Sequence, residues 1–254
     1  MQEAQLSGSA LTLQREVGRL LAPIWVPLIA VLLRWRGYRI EAVEQSRRQY
    51  QQIRRKYDGP LLICANHLTL IDSAIVAWAL GSPWWLLRNY SALPWNVPER
   101  QNFASWWLTQ AISYVMKCVP ITRGGSRGEV AQTLARLSAV LGRGEVALVF
   151  PEGGRSRSGR VDVESVAYGV GYIVNSLPGC RVLCVYLRGH GQTGFSELPA
   201  RGEHFCVALE LITPKTSARG LRADRDVARQ IIGQLAAMER QYFEQRTPQV
   251  AVVR

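Results

Sequence analysis

"PLLICANHLTLIDSAI", residues 60–75, is the stretch that decides the fold. An Asp58-Gly59-Pro60 turn leads into an unbroken apolar run, residues 61–65, with the length of a short strand and the lack of alternation of a buried one. His67 and Asp72 follow, five residues apart. In one continuous helix that spacing turns the two side chains about 140° from each other, so they could not share a site. A strand ending near residue 65 and a helix beginning around residues 69–71 remove the conflict. His67 then lies in the strand-to-helix turn, Asp72 lies in the first helical turn, and the chain can fold one over the other. A carboxylate bonded to one ring nitrogen fixes the tautomer and leaves the other nitrogen free to accept a proton.

Outward from this stretch, short apolar runs rich in β-branched residues alternate with helical periodicity. Strands are predicted at 61–65, 119–122, 146–150, 181–187 and 205–212. The spacing of Ser126 and Glu129 is that of a capping box, and Val130, Leu134, Leu137 and Leu141 give the following helix (129–141) its apolar stripe. A second long helix, 224–245, carries Val227, Ile231, Leu235 and Met238 on one face. The expected architecture is α/β: a single domain with a mixed, largely parallel central sheet flanked by helices, plus an N-terminal membrane-associated helical segment. Its divisions fall at 1–57 (membrane-associated helical region), 58–246 (α/β domain) and 247–254 (a short tail).

The N-terminal assignment rests on "LLAPIWVPLIAVLL", residues 20–33, an uncharged stretch bounded by Arg19 and Arg34. Its length falls short of the roughly 20 residues of a spanning helix, and Pro23 and Pro27 are expected to interrupt it. An interfacial or re-entrant segment fits better than a span or a signal peptide. Residues 34–56 then bring eight basic side chains against Glu41 and Glu44, a composition suited to an anionic lipid surface. Residues 84–114 are rich in Trp and Tyr, which serve equally well at a bilayer interface and in a core.

The chain of 254 residues carries a net charge of +12. Such a charge attracts polyanions, whether nucleic acid, an anionic membrane or an acidic substrate, without choosing among them. Cys64, Cys118, Cys180, Cys184 and Cys206 are odd in number and scattered through apolar stretches, which argues for free thiols. They form no pair at metal-ligand spacing with His190 or His204, so no metal site is expected.

Two further stretches end predicted strands with groups suited to anions. "VPITRGG" (119–125) presents Arg123 beside two glycines, and "VFPEGGRSRSGR" (149–160) presents Glu152, a glycine pair and three arginines. Ligands bind at such strand ends in open α/β sheets, where backbone amides and guanidinium forks meet phosphate oxygens. Its one G-x-S-x-G match, "GGSRG" (124–128), gives Ser126 to the capping box rather than to a nucleophile elbow, and the chain has no P-loop. Without a protein nucleophile, the His67–Asp72 pair suits direct base catalysis on a substrate hydroxyl.

Together the three stretches resemble the glycerolipid acyltransferases, the phosphatidic-acid-forming group and its relatives. "NHLTLID" is similar to the family's N-H-x4-D motif, "VPITR" to its second motif, and "FPEGGRS" to its third, F-P-E-G-T-R-S, differing only at Gly154. The resemblance implies that His67 is the general base, that Asp72 orients it, and that Arg123, Glu152, Gly153 and Arg155 shape the acceptor pocket, with Asn66 and Ser156 in support. It implies an acyl thioester of coenzyme A or acyl carrier protein as donor, no cofactor, and an N-terminal apolar helical pair, here within residues 11–57, entering one leaflet at the cytoplasmic face of the cell membrane. The expected partners are a membrane lipid and the thioester donor, not nucleic acid.

The chain also departs from that pattern. Leu68-Thr69 stands where members acting on lysophosphatidate usually carry Gln-Ser, "VESVAYG" (163–169) lacks the lysine of a Phe-Lys-x-Gly run, and "VLCVYLRG" (182–189) lacks the fourth motif's proline. A lysophosphatidate-type glycerophospholipid is the leading acceptor, with an amino-acid lipid or a polyene pigment lipid as the alternative. The reading of another class is a basic nucleic-acid-binding protein without enzymatic activity. It leaves His67, Asp72 and the apolar stretch at 20–33 unexplained.

Overall fold

The computed structural model describes residues 2–102, 106–122 and 124–246. A six-stranded sheet runs through its centre. In chain order the strands are β1 (Arg39–Ile40), β2 (Leu61–Ala65), β3 (Trp95–Asn96), β4 (Val146–Val149), β5 (Arg181–Gly189) and β6 (His204–Ile212). Their spatial order is β1-β6-β5-β2-β4-β3, and every neighbouring pair is parallel except β5 with β6. The sheet is therefore mixed and largely parallel, as the sequence implied.

Helices cover both faces, which is why the central strands read as unbroken apolar runs. Leu62 and Cys64 of β2 point into one core with Val182, Cys184 and Tyr186 of β5. That core is closed by α6 (Arg127–Leu141), α7 (Gly169–Ser176) and α8 (Leu221–Arg246) through Leu137, Ile173, Ile231 and Leu235. Leu61, Ile63 and Ala65 point the other way, beside Leu183 and Val185, under α2 (Val43–Lys56) and α3 (Asp72–Leu80). Two shorter helices, α4 (Pro83–Arg88) and α5 (Trp107–Val115), pack against the N-terminal helix. The capping box at Ser126 and Glu129 is present, with both reciprocal hydrogen bonds formed.

Two expectations are corrected. Residues 119–122 form no strand; the segment touches its neighbour only through isolated bridges at Asn96–Cys118 and Glu99–Ile121. Pro120 lies between those bridges without an N–H to donate. At the N-terminus, Pro23 and Pro27 do not interrupt the helix: α1 runs unbroken from Gln2 to Trp35. Its stretch Gly8–Trp35 is long and apolar enough to cross a membrane. However, one face of that stretch, at Leu11, Gln14, Ala22, Val26, Ala30 and Leu33, is buried against the body along its whole length. Gly18 belongs to the same face and comes so close to Tyr90 and Val115 that a Cβ there would collide with both. The opposite face exposes Leu20, Ile24, Leu28, Val31 and Trp35.

A buried polar cluster fastens α1 to the sheet. Glu145, just before β4, accepts from Arg15 (Nε, 2.6 Å), Lys117 (Nζ, 2.6 Å) and Trp95 (Nε1, 2.9 Å). Lys117 also donates to the carbonyls of Tyr90 and Leu93. Burial pulls its ammonium down to about 8, against the opposing pull of Glu145. The basic segment 34–56 is likewise partly absorbed by the body. Arg47 is buried and bonded to Glu44 and to the Trp78 carbonyl, and Arg54 reaches the Gly144 carbonyl. The aromatic stretch divides between its two readings, with Trp95 in the core and Trp84, Trp106 and Trp107 exposed.

Candidate active site

The site lies at the carboxyl ends of β2 and β4, where parallel strands leave backbone groups unpaired. β2 ends at Ala65, and Asn66 extends its pairing with β5 by side chain. The Asn66 amide donates to the Leu187 carbonyl (2.9 Å) and its oxygen accepts from the Leu187 N–H (2.7 Å). This fixes the point at which the chain turns away, and the next residue is His67.

Asp72 is the first residue of α3, and its carboxylate turns back over the loop that precedes it. Oδ2 accepts from His67 Nδ1 (3.0 Å) and from the backbone N–H of Leu68 (2.6 Å) and Thr69 (2.8 Å), and Oδ1 accepts from the Thr69 hydroxyl. A carboxylate can only accept, so Nδ1 carries the proton and Nε2 has its lone pair available. Among the described residues no group bonds Nε2. His67 is 9% exposed and its ring stacks on Phe150, with centroids 3.9 Å apart and planes 13° from parallel. Tautomer and ring plane are thereby both fixed.

Glu152 joins the two motif loops. Its Oε1 accepts from the His67 backbone N–H (2.9 Å) and its Oε2 from that of Asp162 (3.3 Å), while the Ser156 N–H donates to the His67 carbonyl (2.9 Å). Burial pushes the Glu152 carboxyl up to about 7, although both amide hydrogen bonds act to lower it. Gly153 turns the chain with φ +67, in the left-handed region that a side chain disfavours. Behind this loop the buried Glu239 of α8 accepts from the Val161 N–H and pairs with Arg160. A polar cleft of about 450 Å³ opens over it, lined by Glu152, Gly153, Gly154, Arg155, Ser156 and Asp162 among others.

The structure brings together Asn66, His67, Asp72, Glu152, Gly153, Arg155 and Ser156; Arg123 lies outside the described residues. Arg155 lines the cleft but is already engaged, donating to the Ser196 carbonyl (3.2 Å) and lying 5.5 Å from the Phe195 ring. Sequence reasoning missed the two donors of Thr69 to Asp72, the Phe150 stack and the Asp162 amide. The Thr69 contribution was legible in principle, since a threonine three residues before a helix-starting aspartate can bond it locally. Among the described residues no cluster of His, Cys, Asp or Glu is arranged to hold a metal. A second cavity, of about 410 Å³, lies between α1, α5 and α6, but it contains no base–carboxylate pair.

The histidine, carboxylate and glutamate thus form one hydrogen-bonded unit built from two sequence motifs, able to accept a proton at Nε2 without moving. A family model described as Acyltransferase matches residues 39–188, more than half of the chain, and includes both motifs. The chain belongs to the acyltransferase family. The family resemblance drawn from the motifs is therefore correct, and the protein is a lipid acyltransferase in general terms. Comparison with curated proteins gave no match.

Proposed function

We propose that this acyltransferase moves a fatty acyl group from a coenzyme A or acyl-carrier-protein thioester to a hydroxyl of a membrane lipid, at the cytoplasmic face of the membrane. The observation that carries the reading is His67: Nδ1 is held by Asp72, and among the described residues no protein group is hydrogen-bonded to Nε2. The acceptor hydroxyl gives its proton to Nε2 as its oxygen attacks the thioester carbonyl. The carbon–sulfur bond breaks, and the proton leaves with the thiol. The exposed apolar stripe of α1 supports membrane attachment with the helix lying in the interface, since its other face is occupied by the protein. The +12 charge suits both an anionic leaflet and an anionic donor.

A lysophosphatidate-type acceptor is the first candidate for the cleft, with Arg123 and Arg155 beside it. A less usual acceptor, an amino-acid lipid or a polyene pigment lipid, is favoured by one specific observation. Arg155 is committed to Ser196 and Phe195, and the cleft sets the carboxyls of Glu152 and Asp162 beside Arg157, so its lining is of mixed charge rather than a cluster of guanidinium groups.

Incubating the membrane-bound protein with labelled acyl donor and a panel of lipid acceptors tests both activity and acceptor. In the same assay His67→Ala should lose about two to four orders of magnitude in turnover while remaining folded and membrane-bound. Turnover near wild type in that variant would remove His67 from the base position.

A further inference from the structure

The loop between β5 and β6, residues 190–203, lies beyond the stretch that the family model matches. It is nevertheless tethered at its start, middle and end. At its start, Arg188 donates to the Gln192 carbonyl (2.6 Å) and the Gly159 carbonyl, and the Gly189 N–H donates to Gln192 Oε1 (2.7 Å). Gly159, with φ +70, passes so close that a Cβ there would stand 2.6 Å from the Thr193 carbonyl oxygen. In the middle, the Ser196 N–H donates to the Leu68 carbonyl (3.1 Å) and the Leu70 N–H to the Glu197 carbonyl (3.0 Å). The Arg155 contacts to Ser196 and Phe195 hold it from the other motif. At its end it meets α1: the Tyr38 hydroxyl donates to the Pro199 carbonyl (2.9 Å), the Gly202 N–H to the Arg36 carbonyl (2.9 Å), and Arg201 lies 5.4 Å from the Trp35 ring.

This strap joins three things that the reaction must bring together: the end of the apolar helix, the turn carrying His67 and the turn carrying Arg155. The strap exposes His190, Thr193, Glu197 and Arg201, and among them two large apolar side chains, Phe195 and Leu198. Leu70, Phe195 and Leu198 are each 47% exposed, and Trp35 is 66% exposed. Their backbones are pinned, so water contact is not relieved by local rearrangement. Guanidinium groups flank them at Arg155 and Arg201. A pinned apolar ridge with cations beside it matches one class of molecule, a long-chain amphiphile with a polar or anionic head.

We propose that the strap is the platform on which the hydrocarbon chain of the lipid acceptor lies. The chain passes from the exposed stripe of α1, which ends at Trp35, onto Leu198, Phe195 and Leu70, and its hydroxyl-bearing head then falls at His67. The acceptor reaches the base along protein surface, without first leaving the bilayer for water, and the strap sets the preference for long-chain acceptors. This inference rests on the lipid acyltransferase reading and names how that site takes its substrate.

Two measurements on the full-length, membrane-bound protein test it. First, vesicles of phosphatidylcholine and phosphatidylglycerol carrying a chain-terminal diazirine lysolipid are photolysed, and the crosslinks are mapped by peptide mass spectrometry. Labels on the peptides of Leu70 and of Phe195–Leu198, as well as on α1, are expected; labels confined to α1 overturn the proposal. Second, an acceptor acylated by the wild type is offered with an octadecyl and with a butyl chain. The double substitution Phe195→Ser and Leu198→Ser should lower the preference for the octadecyl form about tenfold. Both positions are half-exposed, so the fold should survive, and an unchanged preference contradicts the platform. Photolabelling needs no turnover, so strap labelling in a protein that acylates no lipid refutes the function alone, while acyl transfer without strap labelling refutes the strap alone.

Discussion

At the scale of single residues, the site depends on buried carboxyls aimed at backbone amides. Asp72 takes three donors from the turn before it besides the imidazole, so it shapes the loop as well as the base. Burial raises the Glu152 carboxyl to about 7 from the ordinary glutamate range. A raised carboxyl gives its full stabilisation below the unfolded value and loses it as pH rises through the folded one. Wild-type stability should therefore fall between about pH 4.5 and 7 by about 3 kcal/mol from this group. Glu152→Gln should flatten that slope in denaturant titrations taken at several pH values; an unaltered slope would show that Glu152 is not the group responsible. The spacing of His67 and Asp72 made their pairing legible in the sequence, since only a strand-to-helix turn reconciles them. The Phe150 stack and the engagement of Arg155 were not legible, because their partners come from distant segments whose approach no local pattern encodes.

At the scale of elements, β2, β4 and β5 were readable because burial on both faces leaves an apolar run that turns interrupt, and β6, though only half-buried, because its residues are mostly apolar. β1 and β3 have two residues each, too few to carry a pattern. The continuity of α1 through Pro23 and Pro27 could not be read locally. Each proline removes one helix hydrogen bond, and packing of Ala22, Val26 and Ala30 on the body offsets the loss. The attachment of α1 is polar at its N-terminal half, where Arg15 and Gln14 reach Glu145 and the carbonyls of Tyr114 and Cys118. Glu145→Ala would leave Lys117 buried and uncompensated, and should cost about 3–5 kcal/mol in chemical denaturation. Replacing Lys117 by Met together with Glu145→Gln should recover part of that loss. A single substitution costing less than about 1 kcal/mol would mean that the cluster does not hold the helix.

At the scale of the whole molecule, the apolar stripe of α1 and the charge of +12 define how the protein meets a surface. Ile24→Asp with Leu28→Asp touches only exposed positions, so the melting temperature should stay within a few degrees of wild type. Sedimentation with anionic vesicles should fall at least about tenfold. Raising salt should weaken the remaining association further, and vesicle binding equal to wild type would move the membrane contact elsewhere. The same helix constrains how the protein is made. Arg15 finds Glu145 only after a further 130 residues have been translated, and Gln14 finds the Cys118 carbonyl after 104. At roughly 5–20 residues per second, α1 is out of the ribosome on the order of ten seconds before its polar anchor exists. During that interval the N-terminal part of its inner face, at Gln14 and Arg15, is bare as well as its outer one. If the membrane attachment proposed above holds, a nascent chain that rests this helix on lipid from the start avoids aggregation while waiting, and the order in which the fold's parts appear favours biogenesis at that surface.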